Sequence, residues 1–254
     1  MVDLFDEVEE QLRSDRYRTL ALRALPWVIG IAVLALAIAL GWWWWKDRQD
    51  KAGFAAAETY TAAMEAYGQH DETRAFGMFA KVAEDGPPVY QSMALMQQAG
   101  IRLEAGKTDE AVRLFDAAAE AAKDPLLGDI ARLKSALALL DTAPYGELEK
   151  RLEPLTEEGH PYRIEALEAL AFAKVMAGKA GEARGDFAVL SLSPDSSDAV
   201  RDRARAAMDM IDSGSAKALP AAVKAAAAMP APQPQSPQPQ SEGQPQAAQP
   251  GAAQ

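Results

Sequence analysis

His70 and His160 are the only imidazoles in this chain of 254 residues, which has no cysteine. His70 precedes Asp71 and Glu72, and His160 follows Glu157 and Glu158. An imidazole beside carboxylates is the raw material of acid–base catalysis or of a metal site, so a hydrolase or metal-dependent enzyme built on both clusters is one reading. It requires the clusters to converge in space, and their 90-residue separation supplies no reason for that. There is no glycine-rich phosphate loop, paired-histidine zinc motif or nucleophile elbow. Without cysteine, disulfides, thiolate zinc sites and iron–sulfur clusters are excluded. The sequence therefore assigns no catalytic residue, metal ligand or cofactor, and no small-molecule substrate. A net charge of -11 also argues against a nucleic-acid partner, because phosphate binding rests on Lys and Arg. The acidic stretches at 147–158 and 195–209 interleave with Lys or Arg, as solvated helix faces do.

What remains is a question of elements. Half of the chain is hydrophobic, but 54 residues are Ala, the best helix former, and Val and Ile together number only 18. That balance is too poor in β-branched residues for a sheet, and the expected fold is all-α.

Residues 26–45 carry no charge and hold eight Val, Ile or Leu, four Ala and all five tryptophans. Twenty residues at about 1.5 Å each span roughly 30 Å, the thickness of a bilayer core. Trp27 stands at one end and Trp42, Trp43, Trp44 and Trp45 at the other, where four consecutive residues ring the helix as an interfacial belt. A cleavable signal peptide has a shorter apolar core after a short basic start, whereas 25 residues with six acids and four arginines precede this one. The segment reads as a retained signal anchor. Four arginines before it against Lys46, Arg48 and Lys51 after it favour a cytoplasmic N-terminus and a periplasmic domain in a bacterial inner membrane. Within the leader (1–25), Leu4, Phe5, Val8 and Leu12 share one stripe of a possible short helix.

From 46 to 212, short amphipathic segments alternate with Gly and Pro. Pro88, Pro125, Pro161 and Pro194 recur at 37, 36 and 33 residues. Ala105-Gly106-Lys107, Glu110-Ala111 and Phe115 return 72 residues later as Ala177-Gly178-Lys179, Glu182-Ala183 and Phe187. Ala75 and Phe79 occupy the same phase one period earlier. A small residue lets two helices approach, and an aromatic four residues on fills the gap beside it. The spacing predicts first helices at 52–68, 89–105, 126–141, 162–177 and 195–212, and second helices at 72–85, 107–122, 145–158 and 179–191. Residues 213–254, rich in Ala, Pro and Gln, are expected to be a disordered tail, with a transiently helical stretch at 217–229.

These residues resemble the 34-residue tetratricopeptide pattern in Ala63, Ala99 and Ala171, in Ala111 with Phe115, in Ala183 with Phe187, and in the closing prolines. A short acidic leader, one span ending in Gly41-Trp42 before Lys46, an Ala-rich first helix with Tyr60 and Tyr67, and about four repeats narrow this further. Over residues 5–212 the layout resembles the YfgM-like family, ancillary subunits of the bacterial SecYEG translocon. The resemblance implies a transmembrane helix followed by a periplasmic tetratricopeptide-like α-solenoid. It also implies partnership with SecYEG and with a membrane-anchored periplasmic chaperone of the prolyl-isomerase class.

Stacked helix pairs present a concave face lined by first helices. In this register Met93, Met96 and Gly100, with Glu168, Phe172 and Val175, face that groove and bind the partner. A phase error of one or two positions would make them core instead. The function expected is a non-enzymatic scaffold at the translocon; a scaffold for envelope assembly or cell division is the alternative.

Overall fold

The computed structural model describes the backbone of residues 3–227 and the side chains of residues 25, 27 and 29–226. The side chains of the stripe at Leu4, Phe5, Val8 and Leu12, and the whole of the tail beyond residue 227, lie outside these limits. The described chain is helical without a strand. In order come α1 (Asp3–Gly68), α2 (Glu72–Asp85), α3 (Pro88–Glu104), α4 (Thr108–Ala121), α5 (Pro125–Ala138) and α6 (Tyr145–Leu152). After a 3-10 turn at Glu153–Thr156 follow α7 (Arg163–Met176), α8 (Ala180–Leu192) and α9 (Asp198–Asp212), then a second 3-10 turn at Ser215–Ala218 and α10 (Leu219–Ala227).

Local chemistry sets the boundaries. Pro88 and Pro125 open α3 and α5, where a missing N–H costs nothing. The Asp71, Asp124 and Ser197 side chains accept from the N–H groups of Arg74, Leu126 and Val200 and so cap α2, α5 and α9. The turn from first to second helix is a repeated left-handed cap. Its residues are His70, Gly106, Gly178 and Gly214, at φ of 62°, 72°, 76° and 78°, on a 36-residue spacing skipped once. In three of these turns both closing bonds form, as Lys107 N–H to Arg102 O at 2.8 Å and Gly106 N–H to Leu103 O at 2.9 Å do. His70 takes the conformation that glycine takes elsewhere, which an L side chain adopts at a cost.

Packing follows the same period. Ala63, Ala99, Ala136, Ala171 and Ala207, one per first helix, are each at most 2% exposed. On the second helices, Ala75, Ala111, Leu148 and Ala183 are buried, and four residues further on so are Phe79, Phe115, Leu152 and Phe187. Alanine at each closest approach lets adjacent helices come together, and the larger side chain closes the gap beside it. First helices touch in succession, α1 to α3, α3 to α5, α5 to α7 and α7 to α9, so the pairs stack as a solenoid.

Four features differ from the sequence expectation. Leader, span and first repeat helix are one unbroken helix, α1, which runs through Pro26; from the span into the first repeat, no Pro or paired Gly interrupts residues 46–68. The expected helix at 145–158 stops at Leu152 and tightens into a 3-10 turn at Pro154, where the ring removes a backbone donor and crowds the preceding turn. α9 starts at Asp198 rather than 195, at its Ser197 cap. Folded structure also continues past Asp212. Ala216 is buried, and Leu219 packs on the cluster of Ala171, Phe187 and Val200. Gly214, Ala216 and Leu219 lie 36 residues after Gly178, Ala180 and Ala183, so α10 is the short second helix of a fifth unit.

Candidate docking surface

Adjacent units are joined by polar contacts about one period apart. Gln97 donates to the Tyr60 hydroxyl at 3.1 Å, and the Tyr67 hydroxyl donates to Glu104 at 2.6 Å, tying α1 to α3. Arg151 reaches Asp116 at 3.1 Å across α6 and α4, with Ser135 donating to the same carboxylate at 2.5 Å. Arg203 forms a fork with Glu168, Nε to Oε1 at 2.8 Å and Nη2 to Oε2 at 2.7 Å, joining α9 to α7. The Glu104 carboxylate, with a smaller contribution from burial, pushes the Tyr67 phenol up to about 12. Burial, then Glu149, does the same for Tyr145, also to about 12. The Glu168 carboxylate raises Arg203 above the ordinary guanidinium range.

One residue after each buried alanine, the first helices carry Met64, Gly100, Leu137, Phe172 and Met208, all exposed or half-buried. Because first helices touch in succession, these residues form a ladder across the stack. A Cβ on Gly100 would meet nothing within 4 Å, so the ladder has an open notch there. Seven residues earlier, Ala57, Met93, Ile130, Glu165 and Arg201 form a second row. Together the rows are the surface that stacking leaves at least partly exposed on the first helices, charged at Glu165 and Arg201 and uncharged elsewhere, with Ile130, Phe172 and Met208 also packing in part on the core.

Of the six residues expected to line a groove, Met93, Gly100 and Phe172 lie in these rows, although Phe172 also stacks edge-to-face on Phe187 at 5.0 Å. The other three do not line it. Met96 packs beneath, against Ala99, Ala111 and Phe115. Glu168 is buried in its fork with Arg203, and Val175 is buried beside Phe187. One residue turns a helix by about 100°, so an error of one position exchanges groove for core. Met64, Leu137 and Met208 were missed. Stepping from Gly100 by 36 residues back gives Met64 and by three periods forward gives Met208, whereas Leu137 lies one residue off that step, beside the buried Ala136.

At the other candidate sites, Trp27, Trp42, Trp43, Trp44 and Trp45 are 51–76% exposed, none covered by the rest of the described chain. Trp42 and Trp45 lie 5.7 Å apart, and Arg48 sits 4.9 Å over the Trp44 ring. His160 is a half-buried partner of Asp129, Nδ1 to Oδ2 at 2.7 Å, and the other oxygen of Asp129 accepts from Arg132 at 3.0 Å. His70 and His160 sit on opposite edges of the stack, in a turn from first to second helix and in one from second to first. Among the described residues no three His, Asp or Glu side chains converge as metal ligands. The depressions are open and shallow. One of about 300 Å³ is lined by Phe76, Arg102, Glu110, Arg113 and Leu114, and one of about 150 Å³ lies between α1 and the end of α2.

Comparison with known families agrees with this architecture. Residues 25–201, more than half of the chain, match the tetratricopeptide repeat-like domain. No curated protein and no solved structure matches.

Proposed function

The chain belongs to the tetratricopeptide repeat-like domain family, whose folds serve as protein–protein interaction scaffolds, and from that membership we propose a membrane-anchored, periplasmic scaffold of the Sec translocon. Its partners are SecYEG and a membrane-anchored chaperone of the prolyl-isomerase class. The observation that carries the reading is α1. An uncovered apolar segment, tryptophan-bounded at both ends, runs without a break into the first repeat helix. In water that surface would be costly to leave exposed, and in a bilayer it is the matching surface. The translocon assignment rests on the resemblance of the leader, span and repeat layout to the YfgM-like family. The apolar ladder of the first helices supplies adaptable side chains, Met64 and Met208 among them, for a polypeptide partner.

The test is isolation of the full chain from bacterial membranes in mild detergent. Translocon subunits and a periplasmic prolyl isomerase should be recovered with it. Recovery of a different complex in stoichiometric amount, with neither of these, would remove the assignment. A reporter fused after residue 212 should be active only outside the cytoplasm.

A further inference from the structure

Because the stack alternates direction at every helix, its turns fall on two edges. Every turn from a second to a first helix shares an edge with the start of the repeat part of α1. The structure shows this adjacency directly. A Cβ on Gly86, between α2 and α3, would lie 3.5 Å from that of Ala56. The turn holding His160 likewise sits on Asp129 near the start of α5. This edge faces the span: Phe54 follows Trp45 by nine residues of unbroken helix, about 14 Å.

C-terminal to the span, the five most exposed large apolar side chains of the described residues all lie on or beside this edge. They are Leu192 at 84%, Phe54 at 77%, Val189 at 67%, Val89 at 49% and Leu126 at 47%. The polarity of the outer helix faces agrees. Where α8 presents Val189 and Leu192, α2 carries Lys81 and Glu84, and α4 carries Ala117 and Glu120. The edge is also acidic. Its four turns, 84–90, 122–126, 157–162 and 192–198, hold seven Asp or Glu against a single Lys, and although Arg201 reaches into the last turn and pairs with Asp198, the edge stays net acidic.

We infer that this span-facing edge docks the extramembrane loops of an integral membrane protein, loops that carry apolar and basic side chains. The inference rests on reading α1 as a span. The apolar side chains call for an apolar partner, and the acids call for a basic one. An anionic bilayer surface fits poorly, because it repels acids. The headgroup layer is also only about 5–7 Å deep on each side, less than the 14 Å stand-off. Loops of a neighbouring membrane protein occupy that height.

The experiment uses the full chain in its own membranes, with a photoreactive residue at Leu126 or Leu192 and, on the opposite edge, at Asp109. The expected product joins Leu126 or Leu192 to a Lys- or Arg-bearing extramembrane loop of a membrane-embedded protein, identified by sequencing the joined peptide. In the chain probed at Leu192, Phe54→Asp with Leu126→Asp should lower the yield roughly tenfold or more, given the energy of burying two large side chains. Glu84→Lys with Glu158→Lys should lower it too, while Asp109→Lys should not. All these side chains are exposed, and circular dichroism verifies the fold. Adducts with lipid, adducts with a water-soluble protein, equal yield from Asp109, or no adduct would each overturn the inference. Release of the chain by alkaline extraction would instead refute the anchor. Retention in the membrane without an edge adduct refutes this inference alone.

Discussion

Phe187→Ala tests the proposition that the repeat domain is a one-dimensional stack. The Phe187 side chain is fully buried among Ala171, Val175, Val200 and Ala204, with Phe172 edge-on at 5.0 Å. Truncating a buried phenylalanine costs about 3–5 kcal/mol, and the aromatic pair places this site in the upper part of that range. In a globular core the loss would be shared by the whole domain. In a stack each unit holds only its neighbours, so it falls on α7 to α10. Amide hydrogen exchange on the full chain in detergent should show protection in α7, α8 and α9 reduced roughly a hundredfold to several thousandfold. Protection in α2 and α3 should stay within a factor of about three. Phe79→Ala, equally buried at the other end beside Tyr60, should give the mirror pattern. Uniform loss from α2 to α9 in either variant would refute the stack. A change below about tenfold in α7 to α9 would refute the burial of Phe187.

Three further outcomes follow from the geometry. His70→Gly should stabilise the first unit by about 1 kcal/mol, since His70 holds a left-handed φ of 62°, and Gly178→Ala should cost about as much, both read by denaturant unfolding. A change of the opposite sign in either would contradict the repeated cap. The Tyr67 phenol titrates near 10 unfolded and about 12 folded, so stability from its bond to Glu104 is complete below pH 10 and lost as pH rises through 12. Absorbance titration should show Tyr67 returning toward the ordinary range in Glu104→Gln, and no movement would exclude the bond. Every tryptophan lies in or beside the span, so tryptophan emission should stay constant while urea unfolds the repeats as seen by circular dichroism. Quenchers fixed at lipid headgroups should quench it; emission that tracks repeat unfolding would refute a bilayer location.

The period was legible because it is written in residue types with few alternatives. Gly106 and Gly178 stand where φ is positive, Pro88 and Pro125 stand where a helix begins, and Ala111 with Phe115 marks a close approach and its filler. Where another residue fills the role, the signal weakens. His70 replaces glycine in one cap, and Leu148 with Leu152 replaces the Ala and Phe pair in the third unit. That unit is also where the expected helix was overextended through Pro154. The end of the domain was misplaced at Asp212 because five of the nine residues of α10 are Ala and one is Pro, two residue types in which the sequence that follows is also rich. The docking face was legible only in part. Period says which residues are equivalent and leaves the rotation of each helix open, so Met93 and Gly100 fell on the free face while Met96 and Val175 fell beneath it. Burial in the folded stack settles the rotation, and no local motif encodes it.

On the proposed reading of α1 as an anchor, its continuity also decides what the scaffold can do. A Gly- or Pro-rich linker after Trp45 would leave the repeats free to turn, and any face could meet a partner. Helix continuity from Trp45 to Gly68 instead fixes the height and rotation of the first unit relative to the span, and the contacts at Tyr60, Tyr67, Asp116 and Glu168 pass that orientation from unit to unit. The two edges of the stack are therefore not equivalent. The far edge holds the polar caps at His70, Gly106 and Gly178, and the span-facing edge holds the most exposed apolar side chains. On the proposed reading of α1 as a membrane span, that orientation makes the asymmetry usable, because it sets the apolar edge rather than the far edge on the side of the span.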